Sequence, residues 1–98
     1  MALKVFWTIR AELNFNNIIE YLQTEWNENV TKGFVIKVYE TIELISEFHE
    51  IGSIENHKKG IRGFVILKQI TLFYRIKNET VIILSLFDNR KNPKKKHL

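Results

Sequence analysis

Three apolar runs follow one another with almost no chain between them, at residues 61–67, 70–76 and 80–87. The connections are Lys68-Gln69 and Lys77-Asn78-Glu79. A parallel pair of strands needs a crossover of about a dozen residues or more, so runs this close together must turn back as antiparallel neighbours. The third run, from Val81 to Phe87, is apolar at both parities, which marks the strand most covered on its two faces. Whatever precedes these strands has to pack on them.

The preceding half supplies a strand and two helices. Leu3, Val5, Trp7 and Ile9 alternate with Lys4, Thr8 and Arg10, the two-residue period of a half-buried strand. Phe15, Ile18, Ile19, Leu22 and Trp26 then fall at helical spacing, with Asn16, Asn17, Glu20 and Gln23 on the other side. Residues 27–31 are polar and cap-rich, a break between helices. A second helix is expected from about Val30 to Phe48, with Phe34, Val38, Ile42, Ile45 and Phe48 as its apolar stripe. Glu40, Glu43 and Glu47 line its wet face. Residues 52–60 read as an irregular stretch with glycines at both ends. The expectation is an α+β domain of order β-α-α-β-β-β, a helical hairpin on one face of a small, mainly antiparallel sheet. It spans residues 1–98, with 90–98 as a basic C-terminal tail holding the only proline.

Charge is divided as sharply as structure. Residues 1–56 carry four basic and nine acidic side chains, and residues 57–98 carry eleven basic and two acidic. The halves are therefore −5 and +9, which sum to the net +4 of the chain. A cationic half of this kind attracts anions, phosphate backbones first among them. The chain has no cysteine, which removes disulfide and thiolate chemistry and suits a reducing cytoplasm. Its longest apolar run is far below the ~20 residues of a membrane span, and no signal-peptide pattern opens the chain. His49, His57 and His97 are scattered and Glu50 and Glu55 add no ligand spacing, so neither metal nor cofactor is expected. Gly60 and Gly63 flank a single arginine and do not form a phosphate loop.

Several segments, taken in order, resemble the RelE/ParE superfamily, the toxins of bacterial type II toxin–antitoxin pairs. They are Trp7-Thr8-Ile9-Arg10-Ala11, Ile19-Glu20-Tyr21-Leu22 with Trp26, and Gly60-Ile61-Arg62-Gly63-Phe64. Leu72-Phe73-Tyr74-Arg75-Ile76 and Val81-Ile82-Ile83-Leu84 running into Asn89-Arg90 complete the set. The resemblance covers nearly the whole chain. It implies a growth-inhibiting toxin, of which two kinds exist in the superfamily. ParE-like members poison DNA gyrase, and RelE-like members cut messenger RNA on the ribosome without a metal. A third reading is a non-toxic module that binds nucleic acid or an antitoxin.

The resemblance also implies site residues. Arg62 and Arg90 match the superfamily's sheet arginines and are placed near strand ends on the sheet side, where guanidinium forks would hold phosphate oxygens. Arg75 comes next, with Tyr74 beside it as a stacking or proton-donating group. Tyr74 shares its parity with Ile70, Leu72 and Ile76, however, which points it into the core. Arg62, Arg90 and Tyr74 are thus the catalytic candidates for RNA cleavage, and Arg62, Arg75, Arg90, Lys58, Lys59, Lys94 and Lys95 the binding candidates. His57 and His97 complete the acid–base inventory. The superfamily's late tyrosine is missing, since the chain ends Lys94-Lys95-Lys96-His97-Leu98, and this tilts the reading towards the gyrase branch. A cognate antitoxin is implied as partner, in a hetero-oligomer or beside a homo-oligomer of the toxin. Phe6, Phe15, Trp26 and Phe34 are the aromatics that would line its groove, each also at core-compatible spacing.

Overall fold

The computed structural model describes residues 2–89. Strand β1 (Lys4–Trp7) leads into helices α1 (Ile9–Glu25) and α2 (Glu28–Glu47). Strands β2 (Ser53–Asn56), β3 (Ile61–Leu67), β4 (Ile70–Lys77) and β5 (Thr80–Asp88) follow. They form one sheet of order β1-β5-β4-β3-β2, in which β1 runs parallel to β5 and every other pair is antiparallel. The α+β layout and the three-strand meander agree with the sequence. The addition is β2, a four-residue edge strand inside the stretch read as irregular.

The helices begin where side chains satisfy their first N–H groups. Thr8 caps α1, its Oγ1 accepting from the Ala11 N–H at 3.1 Å. The same hydroxyl donates to the Ile83 carbonyl at 2.9 Å, with the Leu84 carbonyl at 3.1 Å. Ile9 and Arg10, which prolong the strand alternation in the sequence, are thereby already helical. Asn27 caps α2 by accepting from the Val30 N–H at 3.0 Å. Trp26 sits at the end of α1 and is exposed, so the apolar stripe of this helix stops short of it.

β1 pairs with β5 only along Thr80–Ile83. Beyond that point α1 covers the β5 edge, since Asn14 Oδ1 accepts from the Leu86 N–H at 3.1 Å. An open edge would otherwise leave backbone groups without partners. One sheet face packs on the hairpin through Leu72, Tyr74, Val81 and Ile83, set against Ala11, Leu22, Phe34, Val38 and Ile45. Burial of these side chains supplies the main folding drive, at about 1.5–3 kcal/mol each. The other sheet face carries no helix among the described residues. At the β4–β5 turn Asn78 and Glu79 both adopt left-handed backbone, with φ of 52° and 57°. That geometry suits the twist of a two-residue hairpin, and it strains glutamate more than asparagine.

Candidate functional site

Pairing registers decide which face each candidate occupies. Arg62 lies opposite Tyr74, and Tyr74 belongs to the core under the helices. Arg62 therefore projects on the helix side of the sheet, not on the open side where it was expected. Its Nη1 donates to the Gly52 carbonyl at 2.7 Å and the Glu50 carbonyl at 3.0 Å. Tyr74 is fully buried; its hydroxyl accepts from the Gly52 N–H and donates to the His49 carbonyl, both at 2.9 Å. Four hydrogen bonds thus lash the segment after α2 to β3 and β4. Gly52 makes this possible, because a Cβ there would stand 2.8 Å from the Tyr74 hydroxyl and 2.9 Å from the Gly63 carbonyl. Burial raises the pKa of Tyr74 above its ordinary value of 10.0, against the opposing pull of the Gly52 N–H and the Arg62 charge.

The open face is built from the alternate residues. Gly63 faces Phe73 and Phe73 faces Ser85 across the sheet, while Arg75 faces Ile82 and Ile82 faces Phe6. Lys4, Thr80 and Lys77 make the next row. A β-bulge shifts the β4–β5 register between Phe73 and Tyr74, so that Ser85 pairs with Phe73 and Ile83 with Tyr74. A cavity of about 260 Å³ opens there, with Ile61, Phe73 and Leu84 as apolar lining and Arg10, Lys59, Thr8 and Ser85 as polar lining. Gly63 leaves space for the Glu55 side chain and the Phe73 ring, both about 3 Å from where its Cβ would stand.

Other candidates are dispersed. Lys58 and Lys59 are exposed in the turn between β2 and β3, where the Lys59 N–H donates to Asn56 Oδ1 at 3.0 Å. His57 is in the same turn, its carbonyl accepting from Gly60. Arg75 stands on the open face, and its buried Nε has no hydrogen-bond partner among the described residues. Arg90, Lys94, Lys95 and His97 lie outside the described residues. No group of three or more metal-ligating side chains gathers among the described residues. Of the groove aromatics, Phe34 is buried, Phe15 half-buried and Phe6 and Trp26 exposed. Phe15 joins Trp7 and Tyr39 around a second cavity of about 250 Å³ between β1 and the helices, with Glu12 and Asn16. The sequence reading missed Lys4 and Lys77 as members of the open face, and Arg10 of α1 as lining of the cavity beside it. Their parity on the strands, and Thr8 as a cap, were the signals available.

Residues 5–93 match the family described as the ParE toxin of the type II toxin–antitoxin system parDE. The chain belongs to the ParE toxin family. It is a toxin of the type II class, and no curated protein matches it in sequence. The ParE fold is shared with a chain of the chromosomal ParDE toxin–antitoxin system of P. aeruginosa, at a TM-score of 0.75 and 13% identity. That alignment covers 89% of this chain and 96% of the other. A chain of the toxin–antitoxin complex RelBE2 from Mycobacterium tuberculosis aligns at TM-score 0.59 and 17% identity, over 90% and 99% of the two chains. The conserved hypothetical protein HP0894 from Helicobacter pylori aligns at 0.58 and 18%, over 90% and 96%. At these identities the likeness is one of fold. Membership of a toxin–antitoxin family implies a cognate antitoxin as partner here. No helix among the described residues is long and apolar enough to cross a membrane.

Proposed function

We propose that this ParE toxin arrests bacterial growth by poisoning DNA gyrase in the cytoplasm, and that a cognate antitoxin neutralises it by folding across its surface. The observation that carries the reading is how Tyr74 and Arg62 are used. RNA cleavage by a 2′-hydroxyl needs a proton acceptor, a proton donor and cations free to follow the growing charge. Tyr74 is sealed in the core with both hydroxyl bonds made to backbone, and an Arg62 nitrogen is held by two carbonyls. Groups so engaged brace a binding surface and support a toxin that works by contact. Arg75, with Lys58 and Lys59 and with Arg90, Lys94 and Lys95 of the tail, supplies cations to that contact, and Arg62 shapes it.

Induced expression in a bacterial host without the antitoxin tests the proposal. The expected result is growth arrest, relieved when the antitoxin is co-expressed. Normal growth with soluble, folded toxin accumulating in the cells would favour the non-toxic module instead.

A further inference from the structure

The fold converts the charge division of the sequence into a division between faces. Helices α1 and α2 hold seven glutamates against Arg10, Lys32 and Lys37. The open sheet face is the opposite. Its two rows nearest the β4–β5 turn are Lys4–Thr80–Lys77 and Phe6–Ile82–Arg75, read straight across β1, β5 and β4. Three cations stand in six positions, and no carboxylate is among them. Glu79 stands in the turn beyond the first row, and Glu55 across the face beside Gly63. The rows are about 6.6 Å apart, two strand rises.

Phe6 gives the surface a second property. Val5 and Trp7 point to the helix side, so Phe6 is turned to the open side, and it is 58% exposed. It lies in one row with Ile82 and the Arg75 guanidinium. An exposed aromatic on a sheet face, flanked by cations, is the arrangement that stacks an unpaired base while the cations hold its phosphates. An acidic peptide would be served by the cations alone and leaves the ring unexplained. A duplex buries its base faces and cannot stack on Phe6.

We infer that this open face binds single-stranded nucleic acid, with one base stacked on Phe6 and phosphates held by Lys4, Arg75 and Lys77. The inference rests on the proposed function only in that a gyrase poison meets its target while DNA is being handled. It is tested on the toxin alone, so its failure is separable from failure of the gyrase reading.

The probe is a fluorescein-labelled twelve-nucleotide oligothymidylate, its binding to the full chain followed by anisotropy from about 50 to 200 mM salt. Phe6→Leu keeps an apolar side chain but removes the ring, and should weaken binding roughly tenfold, within the range of one lost base stack. Phe6→Trp should restore it. Lys4→Gln and Lys77→Gln should each flatten the salt slope by about 0.7. Lys32→Gln is the control, because Lys32 lies on the helical face paired with Glu28 at 3.4 Å, and should change nothing. The tail is common to all these proteins and cancels in the comparison. Equal affinity of Phe6→Leu and wild type would overturn the inference. So would tighter binding of the matching duplex, or binding of a polyglutamate peptide with the same dependence on Phe6, which would make an acidic partner segment the occupant.

Discussion

Replacing Gly52 with alanine should destabilise the protein by about 3 kcal/mol, seen as a fall in Tm of roughly 15 °C. The added methyl would sit 2.8 Å from the Tyr74 hydroxyl and 2.9 Å from the Gly63 carbonyl. Neither can retreat easily. Tyr74 is enclosed by the core, and Gly63 is held in β3 between β2 and β4. Relief therefore requires the 49–52 segment to move away, which also breaks the Gly52–Tyr74 and Gly52–Arg62 hydrogen bonds. A loss below about 1 kcal/mol in thermal or urea unfolding would show that the segment is not anchored as described.

Tyr74→Phe should have the next largest effect, and one that depends on pH. At neutral pH it leaves the Gly52 N–H and the His49 carbonyl without their partner, a cost of about 1–3 kcal/mol. The folded-state pKa of Tyr74 is raised above the ordinary 10.0, chiefly by burial. Below pH 10 both folded and unfolded chains hold the proton, so the contribution is fully present. Above it the unfolded chain releases its proton first, and stability falls as pH rises towards the folded-state pKa. The gap in Tm between wild type and Tyr74→Phe should therefore be widest at neutral pH and narrow beyond pH 10. A gap that stays constant into strong alkali would mean that Tyr74 titrates as it does in the unfolded chain.

The meander and the hairpin were legible because both announce themselves by period and by short connections. Edge strand β2 was not. Ser53-Ile54-Glu55-Asn56 holds one apolar residue and little burial, so neither alternation nor hydrophobic content separates it from a loop. Its pairing with β3 is a tertiary fact, one further complicated by a register shift between Ile54 and Asn56. The core direction of Tyr74 followed correctly from parity. The same parity, carried across the β3–β4 turn, places Arg62 on the helix side with Tyr74. The resemblance pointed the other way because it transfers residue types without their partners, here two backbone carbonyls. Phe73, of opposite parity, is also buried, since the open face has a small apolar centre of its own with Ile61 and Leu84. No periodicity within one strand reveals that centre, because the bulge that shapes it lies between strands.

The most direct measurement is a supercoiling assay with purified DNA gyrase, run beside a ribosome-dependent messenger RNA cleavage assay on the same preparation of toxin. Loss of supercoiling with messenger RNA left intact is the predicted result. Cut messenger RNA and undisturbed gyrase would contradict it, and would require the buried tyrosine and the tethered arginine to be replaced as catalysts by groups elsewhere in the chain.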